Sequence, residues 1–178
     1  MADLDRLRQL TLSAIGPATD ALIAGGSTSA WEAAMRQALI RSHTAAYIAG
    51  AAERLKVKPN SPLISQQRLS RAERAEISAA VEKQLSYLKG FMGDLGTMSP
   101  AQIAARAALY AGPSRGTFSA ARFPGLSAYP GDGGTPCKGN CKCYLEEASD
   151  GIYWRLSAAE HCSGCISRAD ASPYRARA

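Results

Sequence analysis

The placement of sulfur constrains this chain more than any other feature of it. All five cysteines of the 178 residues fall in the last quarter, at Cys137, Cys141, Cys143, Cys162 and Cys165. Between the two clusters lies YLEEASDGIYWRLS. There Asp150-Gly151 predicts a two-residue hairpin turn, followed directly by the β-favouring Ile152, Tyr153 and Trp154. Pairing outward from that turn sets Glu146 opposite Arg155 and Leu145 opposite Leu156, and brings Cys143 beside Ala158. The hairpin thereby carries the first cysteine cluster to the second, as a tetrahedral thiolate site requires.

Cys162-Ser163-Gly164-Cys165 has the C-x-x-C spacing of a zinc knuckle, with two small residues between the sulfurs. Cys137-x-x-x-Cys141-x-Cys143 supplies two further ligands, or three that compete for two places. In a module with so little core, zinc would supply much of the folding energy. Two other states fit the same residues. One is a set of one or two disulfides formed in a mature extracellular particle, which leaves an odd thiol over. The other is unligated thiols. A redox role for Cys162 and Cys165 normally needs the motif at a helix start in a βαβ context, which the sequence does not display. His161 adjoins Cys162 and is a substitute ligand in principle; with enough thiolates present it reads as a solvent-facing turn residue. His43 sits mid-helix among alanines and reads as a packing or exposed histidine.

Upstream, the chain reads as helices with punctuation. Leu4, Leu7, Leu10 and Ala14 form one stripe, Pro17 opens a second short helix, and Gly25-Gly26 ends it. Three start signals follow: Ser29-Ala30-Trp31-Glu32, Ser70-Arg71-Ala72-Glu73 and Ser99-Pro100-Ala101-Gln102. The first opens a helix reaching Leu55, the second one striped by Ile77, Val81, Leu85, Leu88 and Met92, and the third one that stops at Gly112-Pro113. Residues 56–69 form a loop. The fold class is mainly α: a helical body over 1–121, an extended Gly/Pro connector over 122–136, a small zinc-ribbon-like β-hairpin module over 137–170, and a basic, solvated tail over 171–178.

Composition narrows the function. Hydrophobic residues are 46% of the chain but aromatics only 7%, so helices should pack closely over alanine and complete their burial against a partner. The net charge of +6 is diffuse: residues 1–100 carry 12 basic and 9 acidic side chains, residues 101–178 carry 9 and 6. That tolerates a polyanionic neighbour without building a binding face. No run approaches the ~20 apolar residues of a membrane span. The N-terminus lacks the apolar stretch of a secretory signal, which points to synthesis and folding in the cytoplasm. No Ser/His/Asp order, carboxylate pair or phosphate loop marks an enzyme; Gly131-Asp132-Gly133-Gly134 lacks the lysine of a P-loop.

The strings GDGGTPCKGNCKCYLEE, with Asn140-Cys141-Lys142-Cys143, and YWRLSAAEHCSGCISRADASPY resemble the C-terminal cysteine module of tailed-phage minor head proteins. These are the Mu F-like head-morphogenesis proteins and their shorter relatives. Upstream, Trp31-x-x-x-Met35, His43-Thr44-Ala45, Tyr87-Leu88-x-x-Phe91 and the run from Ala105 to Ala111 are similar too. The resemblance implies a bacteriophage virion structural protein of the head or neck, oligomeric in the assembly. It would contact portal, capsid or neck subunits near packaged DNA, away from any membrane, having been assembled in the host cytoplasm. A second reading is a zinc-ribbon nucleic-acid binder, in which Lys138, Lys142, Tyr144, Tyr153, Trp154 and Arg155 grip phosphates and stack bases. A metal-dependent or redox enzyme using Cys162 and Cys165 is a third.

Overall fold

The computed structural model describes residues 4–112, 114–137 and 141–175. Pro113, Lys138, Asn140 and residues 176–178, all named above, lie outside them. The order is α1 (Leu4–Ile23), α2 (Thr28–Leu55), α3 (Arg71–Asp94), α4 (Pro100–Leu109), α5 (Ser114–Arg122), β1 (Tyr144–Ala148), β2 (Gly151–Arg155) and α6 (Ser163–Asp170). The chain is thus mainly helical, with one small antiparallel sheet near its C-terminus.

Two helix starts form where local chemistry dictates. Ser70 accepts from the Glu73 N–H while the Glu73 carboxylate accepts from the Ser70 N–H, and Ser99 and Gln102 repeat the arrangement with Pro100 at the first helical position. Each box satisfies backbone donors that no helical carbonyl can reach. The expected start at Ser29 is corrected. Ser27 is the cap, accepting from the Ala30 N–H at 3.3 Å, and Ser29 lies within α2. Gly25, at φ +89°, ends α1 and releases the chain early enough for the earlier serine to cap.

α1 is likewise one helix, not two, and Pro17 lies inside it. Proline there removes a ladder bond and costs about 3 kcal/mol. Burial of Thr11, Ile15, Thr19 and Leu22 on one continuous face offsets it. That face differs from the expected stripe: Leu10 is 59% exposed. The main core joins Ile15, Trp31, Met35, Leu39, Val81, Leu85, Leu88, Phe91 and Ile103. Trp31 and Phe91 sit tilted with ring centroids 5.3 Å apart, and the Trp31 indole donates to Thr19 Oγ1 at 3.1 Å. On α3, Phe91 takes the buried place expected of Met92, which is only half-buried.

α5 had no counterpart in the sequence reading. Ser114, Gly116, Thr117, Phe118, Ser119 and Ala121 are all buried, and four of these six are glycine or hydroxyl residues rather than apolar ones. It lies directly on α2: a Cβ placed on Gly50 would stand 2.2 Å from the Phe118 carbonyl oxygen. The expectation of close packing over small side chains is met here.

Beyond Arg122, which ends α5, the Gly/Pro segment carries no helix or strand but is folded rather than extended. Asp132 ties it into a turn, accepting from the Tyr129 N–H at 2.9 Å and the Gly134 N–H at 2.6 Å. The turn rests on α5, where a Cβ on Gly116 would come within 3.0 Å of Gly131 and Asp132. Pro130, Gly131 and Thr135 are buried. The Lys83 ammonium donates to the Asp132 carbonyl, fixing the segment to α3.

No helix among the described residues is long and apolar enough to cross a membrane. The Gly50 contact gives a two-variant test. Alanine normally stabilises a helix over glycine by up to ~1 kcal/mol, so Gly90→Ala, at an open position on α3, should raise stability by that order. Gly50→Ala should instead lower it by about 1–3 kcal/mol, because the obstructing atom belongs to backbone. Urea unfolding of both variants reads the opposite signs.

Candidate functional site

The five sulfurs meet. Cys137 Sγ lies 3.6 Å from Cys165 Sγ, Cys141 Sγ 3.5 Å from the same atom, and Cys162 Sγ 3.7 Å from Cys137 Sγ. None is in a disulfide. Cys137, Cys162 and Cys165 form one group whose donor atoms all lie within 4.8 Å of one another, and Cys141, Cys143 and Cys165 form a second. At a metal–sulfur distance of ~2.3 Å, the edge of a tetrahedron is about 3.8 Å. The spacing therefore fits a shared metal ion, and the expected convergence of two distant stretches is realised.

Each element delivers its sulfurs for a local reason. Cys141, Cys143 and Leu145 are two residues apart, and the period of a strand turns all three inward, at 4%, 1% and 4% exposure. The hairpin behind them pairs Leu145 with Trp154 and Glu147 with Ile152. This register corrects the expected one. Ser149 and Asp150 form the loop, and Gly151 already belongs to β2, closing opposite Ala148. A Cβ on Gly151 would meet Pro173 Cβ at 2.8 Å, so glycine is needed where the returning chain crosses the strand. The shift changes each partner by two residues and leaves the inward faces intact. Glu146 still meets Arg155 at 2.6 Å, now along a diagonal.

Cys162 and Cys165 sit at the start of α6, Cys162 as its N-cap. The C-x-x-C spacing predicts a knuckle and no helix start there; Ser163 and Gly164 instead enter the first helical turn. Burial opposes ionisation of Cys162. The backbone N–H groups of Cys165 and Cys137, and then their thiols, outweigh it and bring the Cys162 thiol down to about 7. Burial pushes Cys141 up to about 12, and burial with three neighbouring thiols raises Cys165 further. One thiol is thus ready to ionise while those behind it stay protonated until a cation arrives. The helix-start C-x-x-C also suits a redox pair, but Cys137 crowds both of its sulfurs.

His161 turns out to face the sulfurs. Its Nε2 lies 2.8 Å from the Ser157 carbonyl oxygen, so Nε2 carries the hydrogen. Nδ1 is left with its lone pair, 3.6 Å from Cys143 Sγ. An imidazole oriented by a carbonyl in this way is the usual arrangement of a metal-ligating histidine. The sequence signal was the pair His161-Cys162; its orientation depends on the turn at Ser157.

The aromatic and basic residues of the module are largely occupied. Trp154 is 2% exposed and covered by the Arg168 guanidinium, 5.3 Å from the ring centroid. Arg155 pairs with Glu146 and lies over Tyr153. Tyr144 and Lys142 are exposed. The chain after α6 is not a free tail. Tyr174 exchanges backbone hydrogen bonds with Ile152 at 2.9 and 2.7 Å, and Ser172 Oγ accepts from the Trp154 N–H at 2.8 Å.

A second polar centre lies in the helical body, beside a groove of about 420 Å³ bordered by Tyr47, Tyr87, Tyr110 and Tyr129. Its hydrogen bonds fix one another. The Tyr110 carbonyl can only accept, so Gln84 Nε2 donates to it. Gln84 Oε1 therefore accepts from His43 Nε2 at 2.8 Å, and Nδ1 accepts from the Thr117 hydroxyl at 2.6 Å. The order of hydroxyl, imidazole and orienting group resembles a nucleophile and its base. Gln84, however, is uncharged and offers no counter-charge to an imidazolium. The network clamps α2, α3 and α5 together. His43, expected to be a packing or exposed residue, is 2% exposed and anchors it.

No protein-family model, curated protein or solved structure matches the chain.

Burial lowers the His43 pKa from 6.5, against a weaker opposing hydrogen bond to Gln84. The unfolded chain takes up a proton at this residue below about pH 6.5, while the folded one resists it. Stability should therefore fall as the pH drops below that value. Nitrogen-15 NMR should find His43 as the neutral Nε2–H form at neutral pH and gaining its second proton only below the pH of a free imidazole, and denaturant unfolding should be easier at pH 5 than at pH 7. A His43 that gains that proton above pH 6.5 contradicts the network.

Proposed function

We propose that the protein is a structural subunit whose C-terminal module is stapled by zinc and used for docking, and that it serves in a bacteriophage head or neck. The observation that carries the reading is the meeting of five sulfurs and one oriented imidazole at the junction of connector, hairpin and α6. Thiolate sulfur with imidazole nitrogen at tetrahedral spacing is a donor set that suits zinc. The buried core of this module is small: Phe123, Leu145, Ile152 and Trp154 besides the cysteines. A core of that size holds a shape only with a staple, which zinc bound to thiolates supplies.

A module of this construction presents a rigid rim and no opening through the metal. Exposed Tyr144, Leu156 and Ile166 stand on it, available to a neighbouring subunit. The resemblance of GDGGTPCKGNCKCYLEE and of the string from Tyr153 to Tyr174 to the cysteine module of phage minor head proteins supplies the setting. There the chain would contact portal, capsid or neck proteins, with packaged DNA nearby tolerating its diffuse positive charge. The nucleic-acid reading draws less support, since Trp154 is buried and Arg155 is paired.

Two measurements test the proposal. Metal analysis of the purified, reduced chain should find bound zinc. Its removal by a chelator should unfold the module while the far-ultraviolet helix signal of the body largely persists. Particles of the phage encoding the chain should contain it at a fixed copy number. Metal-free protein of unchanged stability removes the staple, and particles without the chain remove the virion role.

A further inference from the structure

Six donors are too many for one tetrahedral ion and too well placed to be spare. A single four-coordinate site would gather four donors at mutual distances of about 3.8 Å. Among the described residues the potential ligands instead fall into two groups of three, which have only Cys165 in common. Cys141 Sγ lies 3.5 Å from Cys165 Sγ, closer than the other two sulfur pairs given above. Cys141 belongs to the second group and abuts the first through Cys165, the residue they share. His161 Nδ1 stands beside Cys143, on the side of the second group.

We propose that the module holds two divalent ions rather than one, with Cys165 and Cys141 bridging them. This rests on the metal reading above and goes beyond it. One ion is bound by Cys137, Cys162 and the two bridging thiolates. The other is bound by Cys143, His161 Nδ1 and the same bridges. Two tetrahedral ions need eight coordination positions, and six donors with two of them shared fill all eight. The bridging pair then forms the common edge of two tetrahedra, which is where the short sulfur contact lies.

Charge permits the same arrangement. Two divalent ions leave five thiolates at a formal charge of −1, no more than one ion held by three thiolates and the imidazole would carry. The neutral imidazole adds a ligand without adding charge. Arg115 faces the remaining negative charge through its contacts with the Lys142 and Cys143 carbonyls, each at 3.4 Å. The arrangement also explains why the first cluster holds three cysteines where one ion needs two. Cys137 and Cys143 serve different ions, and Cys141 serves both.

Native mass spectrometry and metal analysis of the full-length reduced chain, loaded with zinc and freed of excess, should give two ions per chain. The chain loaded with cadmium-113 should show two resonances, one from an all-sulfur site and one from a site with three sulfurs and a nitrogen, split by coupling through the shared thiolates. His161→Ala, which keeps every thiol, should reduce the count from two to one. One ion in the unaltered chain overturns the binuclear cluster and leaves the zinc staple standing. No ion overturns both. Two ions that survive His161→Ala unchanged remove the histidine from the ligand set and with it the eight-position arrangement.

Discussion

The closeness of α5 to α2 sets the position of everything that follows it. At Gly50 the two backbones are separated by too little space for a methyl group. That contact holds Thr117 against His43, and it presents Gly116 as a floor for the turn at Gly131 and Asp132. The turn, tied to α3 through Lys83, delivers Thr135 and Cys137 to the sulfur cluster. A larger residue at the crossing would displace, in order, the buried hydrogen-bond network, the connector and the first cysteine of the cluster. A single small residue in the body is thereby coupled to the geometry of the C-terminal module.

Within that module, packing and ligation support one another. Leu145, Ile152 and Trp154 make the floor, and the cysteines lie in the same buried cluster. Neither contribution suffices: the apolar area is small, and protonated thiols alone attract each other weakly. Burial raises the thiols of Cys141 and Cys165, while backbone N–H groups and neighbouring thiols lower that of Cys162, so these three sulfurs ionise with different ease. The return of the chain onto β2 at Tyr174 closes the far edge of the hairpin, which would otherwise expose unpaired backbone.

The sequence was most legible where the governing chemistry spans four residues or fewer. The boxes at Ser70 and Ser99 formed as read, because hydroxyl, side-chain acceptor and backbone donor are all local. The hairpin was legible for the same reason, although its loop moved by one residue. An Asp-Gly pair signals a turn in its vicinity, but the crossing of Pro173 over Gly151 decided which residues occupy it. The start expected at Ser29 lies instead at Ser27, because the preceding helix ends early enough for the earlier serine to cap.

Taken alone, the amino-acid order determined that the chain is helical, that a β-hairpin follows, and that five sulfurs meet across it, since periodicity, capping and C-x-C and C-x-x-C spacing act over short distances. Tertiary structure alone decided the rest. Pro17 lies within a helix because a buried face outweighs one missing hydrogen bond. α5 is buried mostly through glycine and hydroxyl residues, which no apolar pattern announces. The connector folds back because α5 and Lys83 receive it, and His161 turns its lone pair toward Cys143 because the Ser157 carbonyl holds its other nitrogen. Each of these depends on atoms brought close by folding, which no local pattern encodes.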